Sequence, residues 1–155
     1  MRLILGVSVV FLSLLCPSVC KSQCYTLDLQ EDFEIAHPFP HHCMTVIHDN
    51  QGRDYLYTAA IKDGVRIFSI DGTKSVEIDG IQVDDMEGLS VMSLSQTGDF
   101  LYVALGDHFS NSENSGLAII DVTDPENAFV LDVWKNSPST GGAGIVKEIG
   151  TYAYL

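Results

Sequence analysis

Beyond residue 43 the apolar residues fall in short runs rich in Val, Ile, Leu and aromatics, each bounded by Gly, Asp, Asn, Ser or Pro. None of these runs carries the three-to-four-residue spacing of an amphipathic helix, so the pattern predicts strands. One set covers Met44 to His48, Tyr55 to Ile61, Val65 to Ile70 and Ser75 to Ile81. A second covers Leu89 to Leu94, Phe100 to Leu105, Leu117 to Val122 and Phe129 to Trp134. Thr97-Gly98-Asp99 and Asp124-Pro125-Glu126-Asn127 supply the turns between them, because Gly accepts positive φ and Pro presets a turn value.

The pattern repeats. Asp54-Tyr55-Leu56-Tyr57, Asp99-Phe100-Leu101-Tyr102 and Thr151-Tyr152-Ala153-Tyr154 are similar, and each follows a glycine. Gly64-Val65-Arg66-Ile67-Phe68-Ser69-Ile70 likewise matches Gly116-Leu117-Ala118-Ile119-Ile120-Asp121-Val122. Gly64 stands 38 residues before Tyr102, and Gly116 stands 38 before Tyr154, so two independent motifs keep one register. The tyrosine interval grows from 45 to 52 residues, and the extra seven lie between Tyr102 and Gly116, in the polar stretch Asp107 to Ser115. Four strands in about 45 residues is the period of a β-propeller blade. The expectation is an all-β chain whose blades of four antiparallel strands span 43–87 and 88–139, with a partial blade over 140–155. Propellers have about 4–8 blades, so this much of one is a truncated ring.

The run Gly116-Leu117-Ala118-Ile119-Ile120-Asp121-Val122-Thr123-Asp124-Pro125 resembles the signature of LVIVD-repeat β-propeller proteins, in which a Leu-Val-Ile-Val-Asp-like strand enters a Val-Ser-Asp-Pro-like turn. Gly144 to Tyr154 resembles that family's next strand pair. The likeness over Tyr55 to Ile81 is looser, since Ser69 replaces the aspartate. It implies a propeller of secreted or surface proteins and no defined activity, with Asp121 accepting turn hydrogen bonds. A fainter likeness links Asp85-Met86-Glu87-Gly88-Leu89 to strand openings of calcium-dependent propeller lactonases and esterase-like phytase domains. It implies that Glu87, with Asp85, could reach a calcium ion.

The first twenty residues read differently. Arg2, the apolar Leu3 to Leu15 and the small residues around Cys16-Pro17-Ser18-Val19-Cys20 form the pattern of a cleavable secretory signal over 1–20. The apolar core is too short for a spanning helix, which needs about 20 residues. An irregular segment over 21–42 follows. Cleavage leaves Cys24 and Cys43, an even pair that in an oxidising compartment points to a disulfide closing a loop worth about 3 kcal/mol. The formal charge of −13, with eight basic residues and no run of them, argues against nucleic acid and against anionic membrane surfaces.

Candidate chemistry is sparse. No Gly-x-Ser-x-Gly elbow, phosphate-cradling loop or zinc-finger spacing occurs. His41, His42 and Cys43 include zinc-type ligands, but neighbours on an extended chain point to opposite sides, so at most two could share an ion. Asp84, Asp85 and Glu87 could offer oxygens to calcium, as could Asp107, Asn111, Glu113 and Asn114. Asp107-His108 is the pair to check for acid–base work. Asp107, His108, Phe109, Asn111 and Glu113 also make the inserted stretch a candidate binding loop, since loops on rigid scaffolds carry binding. A regular repeat without a converging catalytic set favours a secreted or cell-surface interaction scaffold for a protein or glycan, needing no cofactor. The alternative is a calcium-dependent propeller hydrolase.

Overall fold

The computed structural model describes residues 43–72, 74–106, 114–140 and 142–155. Those residues are all-β. Strands β1 (Thr45–His48), β2 (Tyr55–Ala59), β3 (Val65–Asp71) and β4 (Lys74–Ile81) form one antiparallel meander in that order. Strands β5 (Val91–Thr97), β6 (Phe100–Leu105), β7 (Asn114–Asp121) and β8 (Phe129–Thr140) form a second, and β9 (Lys147–Ile149) pairs with β10 (Tyr152–Tyr154) in a hairpin. Two antiparallel sheets of four strands are what the hydrophobic pattern predicts. No sheet among the described residues closes on itself.

Strand boundaries move where the backbone must turn. The run expected from Tyr55 to Ile61 stops at Ala59, because Ile61 takes a positive φ of 49° and leaves the ladder to bridge Val91 in the second sheet. Gly64 then closes this turn at φ 80°, where an added Cβ would strike the Ile81 carbonyl. Only glycine tolerates both demands. Leu89, expected inside a strand, instead follows a 3₁₀ turn over Val83–Met86 and is bound to it by a backbone N–H to the Met86 carbonyl at 3.2 Å. The strand expected to end at Trp134 runs on to Thr140.

Both sheets carry a bulge between their third and fourth strands. In the first, Ile67 opposes Asp79 and Phe68 opposes Glu77, leaving Ile78 over. In the second, Ile119 opposes Asp132 and Ile120 opposes Val130, leaving Leu131 over. Bulges increase local twist, which lets a sheet lie face-on against a twisted neighbour. Between the sheets lies the main core. Tyr57, Val65 and Ile67 of the first meet Val91, Leu101, Val103, Leu105 and Ile120 of the second, all fully buried. Each such side chain stabilises by about 1.5–3 kcal/mol over leaving it exposed. A smaller cluster joins Ala104, Tyr102 and Leu117 on the far face of the second sheet to Ala143 and Val146, just before β9.

Asp121 does what the resemblance implies: its carboxylate accepts from the Thr123 N–H at 2.8 Å, and the Thr123 side chain together with that N–H holds its pKa below the usual value. Asp124 caps the 3₁₀ turn Pro125–Asn127, accepting from the Glu126 N–H at 3.2 Å and from Asn127 Nδ2 at 2.7 Å. This is ordinary N-cap chemistry, with Pro at the first turn position.

Candidate functional site

The most developed polar group lies between the two sheets, at the β1–β2 turn. Asp49 is buried, with a side-chain exposure of 0%. Its carboxylate accepts from Arg53 Nε at 3.0 Å and Nη2 at 2.6 Å, from the Tyr57 hydroxyl at 2.6 Å, from the Gln51 N–H at 2.8 Å and from Gln96 Nε2 at 3.2 Å. Burial alone would raise its pKa, yet these donors outweigh it and hold the carboxyl well below the carboxylate range. Tyr57 is pushed well above the usual phenol value by burial and by donating to that carboxylate. A buried charge so fully satisfied is a fixed post rather than a reactive group.

The post ties the sheets together. Gln96, at the end of β5, accepts from the Asn50 N–H through Oε1 at 2.8 Å, while Asn50 Nδ2 donates to its carbonyl at 2.7 Å. Arg53 reaches further, donating through Nη1 to the Thr123 carbonyl at 2.9 Å, and Gln51 Nε2 donates to Asp99 Oδ1. Sequence reasoning missed this clasp. Asp49 and Arg53 look like turn residues in sequence, and their partner Gln96 lies 47 positions from Asp49.

A second clasp joins the hairpin to the second sheet. Glu148 Oε1 accepts from Thr97 Oγ1 at 2.7 Å, with Lys147 Nζ 3.8 Å away. Burial would raise the Glu148 pKa, but the Thr97 and Ser95 hydroxyls lower it on balance. Its other oxygen, Oε2, is buried without a hydrogen-bond partner.

The residues singled out in the sequence fall elsewhere. Asp85 sits at the third position of the 3₁₀ turn and accepts from the Gln82 N–H at 3.3 Å, completing a capping box. Glu87 follows that turn in the left-handed region at φ 60°, exposed, its nearest charge being Lys135 Nζ at 3.9 Å. Among the described residues no group of three or more His, Cys, Asp or Glu could hold a metal ion. Asp107, His108, Phe109, Asn111 and Glu113, as well as His41 and His42, lie outside the described residues. Asn114 and Ser115, counted with that loop, are strand residues of β7. Cys43 is exposed and forms no disulfide among the described residues, and its expected partner Cys24 lies outside them, as does the signal segment. No helix among the described residues is long and apolar enough to cross a membrane.

An open groove of about 690 Å³ runs beside the first half of β8. Its walls include Ile81 at the end of β4, Asp85 and Glu87 at the 3₁₀ turn, and Phe129, Leu131 and Asp132 of β8. No family model matches the chain, and neither a curated protein nor a solved structure matches it.

Proposed function

We propose that the chain is part of a secreted or surface-displayed β-propeller of the LVIVD-repeat kind, acting as an interaction scaffold. One observation carries the reading: the second inter-sheet contact is built from the positions that build the first. Val91 and Leu94 are buried on the first sheet, and Ala143 and Val146, each 52 positions later, are buried on the second. Gln96 clasps the β1–β2 turn, and Glu148, also 52 later, clasps the end of β5. Val91 and Ile61 exchange backbone hydrogen bonds at 2.9 and 3.2 Å, and the Ala143 N–H donates to the Leu105 carbonyl at 3.1 Å. A unit that docks on its predecessor through the same positions each time generates a regular stack, as in repeat architectures. The N-terminal charge, apolar run and small residues support secretion, and with it the Cys24–Cys43 bridge.

The scaffold reading rests on clasps whose polar groups are engaged in holding the units together, leaving loops and edges for binding. It is tested by assaying the secreted chain for hydrolysis of lactones, phosphate esters and aryl esters, with and without calcium. The expected outcome is no turnover and no calcium-dependent rise in melting temperature. Saturating calcium at about 100 times its dissociation constant would add about 2.7 kcal/mol. Such a rise, abolished by Glu87→Gln and accompanied by turnover, overturns the scaffold reading in favour of a calcium-dependent hydrolase. Mass spectrometry of the non-reduced chain checks the bridge, with a linked Cys24–Cys43 peptide expected.

A further inference from the structure

We infer that the groove beside β8 takes an extended, basic peptide segment of a partner protein, added as a strand along the free edge of β8. This rests on the interaction-scaffold reading and names the partner's chemistry.

The edge comes first. β8 is the longest strand, at 12 residues, and among the described residues it pairs only with β7. An open edge of that length is a template for another strand, and proteins ordinarily blunt it. Here one blunting device is visible. The Val133 N–H is met by the carboxylate of its own neighbour, Asp132 Oδ1, at 2.9 Å. On β4 the Gly80 N–H is met in the same way by Asp79 at 2.8 Å, but there the second carboxylate oxygen also accepts from the Ala128 N–H, across the sheets, at 3.2 Å. Asp132 has no such cross-sheet tie among the described residues. Its carboxylate is a local plug that an incoming backbone carbonyl can replace.

The walls define what the incoming strand carries. Phe129 is 54% exposed and Leu131 48%, two large apolar side chains left in water on one edge strand. Beside them stand the carboxylates of Asp85, Glu87 and Asp132, with Lys135 as the cation close to Glu87. Within a chain of net charge −13 this is a negative field with apolar footholds. Strand addition takes affinity from main-chain hydrogen bonds and specificity from alternate side chains. The complement is a strand alternating apolar residues with Lys or Arg, drawn in by the acidic surface and slowed from leaving by Phe129 and Leu131.

Trp134 is the single tryptophan, lies on β8 and is half exposed, so its fluorescence reports events at this edge. The experiment titrates the full chain with a synthetic Lys-Val alternating peptide of about eight residues, a length that matches a typical strand. Three controls accompany it: a Glu-Val peptide, the Lys-Val peptide N-methylated at alternate residues, and the chain carrying Glu87→Lys with Asp132→Lys. Saturable binding of the Lys-Val peptide is expected, weakening with salt, undetectable for Glu-Val, and at least about tenfold weaker on N-methylation or on charge reversal, one such factor corresponding to about 1.4 kcal/mol. Circular dichroism of the reversed variant must match the parent, and if it does not, Glu87→Gln with Asp132→Asn takes its place. Equal affinity for the N-methylated peptide overturns strand addition. Equal affinity for the neutralised or reversed variant overturns the groove as the site. Concentration-dependent dimerisation that quenches Trp134 and blocks the peptide also overturns it, since a second copy then occupies the edge. None of these failures touches the scaffold reading, which the hydrolysis and calcium assays decide separately.

Discussion

The two contacts made by the second sheet use matching positions and differ in completeness. On one face it meets a whole sheet. Tyr57 is fully buried there, and Ile81 at the far end of β4 is 6% exposed. On the other face, among the described residues, it meets the segment that begins at Ala143, which covers Ala104 and leaves Tyr102 partly open. The bulge residues show the difference most sharply: Ile78 packs against the main core, whereas Leu131 stands in water. Their clasps differ too. Asp49 has five donors around one carboxylate, while Glu148 leaves one oxygen buried and unmet. What this teaches is that the inner strands carry the docking code and the outer strands carry the burial. A hairpin alone can read the code without delivering the area.

The comparison breaks first at Asp49. Asp49→Ala removes the acceptor shared by Arg53, Tyr57 and Gln96 and strands their donors in a buried site. Loss of one partner from such a group costs about 3–5 kcal/mol. Glu148→Ala removes the acceptor of the Thr97 and Ser95 hydroxyls, in a less enclosed site, and an ion pair with a mostly exposed lysine, and should cost about 1 kcal/mol. Urea unfolding followed at Trp134 measures both. Equal losses would mean that the two clasps are energetically the same despite their different surroundings.

The same carboxylate sets an acid limb. Its folded pKa is depressed, so its contribution is complete above the unfolded value of about 3.9 and is lost as pH falls from there toward the folded value. The urea midpoint should therefore decline below about pH 4 in the parent chain. Asp49→Asn should start lower and decline less steeply over that window. Parallel acid limbs in parent and variant would locate the titration in other carboxylates.

Much of this architecture is legible in the sequence, and the reasons are physical. Alternating apolar runs bounded by Gly98, Gly150 and Asp124-Pro125 announce strands and turns because those residues supply the φ values that turns need. The bulges are not legible, since Ile78 and Leu131 look like any other strand residue. Nor is the clasp. Asp49, Gln96 and Thr123 come together only through the packing of two sheets, and nothing local to any of them signals it. The candidate calcium residues, Asp85 and Glu87, stand as a turn cap and an exposed neighbour of Lys135. A faint family likeness and their carboxylates singled them out, and among the described residues they stand on a groove wall with no group of three or more metal-type ligands.

A milder test sharpens the contrast in burial. Ile78→Ala should cost about 1 kcal/mol, because the side chain is only partly covered and the removed methylenes leave a small gap. Leu131→Ala, at the bulge of the other sheet, should fall within about 0.5 kcal/mol of the parent, as surface changes do. A loss at Leu131 equal to that at Ile78 would show that its face is covered in solution.

The smallest effect is the most informative about the clasp. Gln96 and Glu148 occupy matching places before their hairpin turns, opposite Leu101 and Ala153. Gln96 Nε2 donates to the Gly98 carbonyl at 2.9 Å as well as to Asp49, so its amide uses both ends. Glu148 presents an acceptor, Oε2, where Gln96 presents that donor, and Oε2 is buried with nothing donating to it. Glu148→Gln keeps the shape, keeps an oxygen for Thr97 Oγ1 and turns the orphan atom into a donor, for which the expected acceptor is the Gly150 carbonyl, 52 positions after the Gly98 carbonyl that Gln96 uses. It gives up the attraction to Lys147, whose side chain is 66% exposed and whose ion pair is therefore worth little. Relieving a buried unsatisfied oxygen should outweigh that loss, so the variant is expected to be more stable by about 0.5–1 kcal/mol. The measurement is the urea midpoint at neutral pH and again in acid, below the lowered Glu148 pKa, where protonation of Glu148 in the parent supplies its own donor and narrows the gap. A destabilised Glu148→Gln at neutral pH would show that the carboxylate's charge, held by Thr97, Ser95 and Lys147, matters more to the second contact than its missing hydrogen bond.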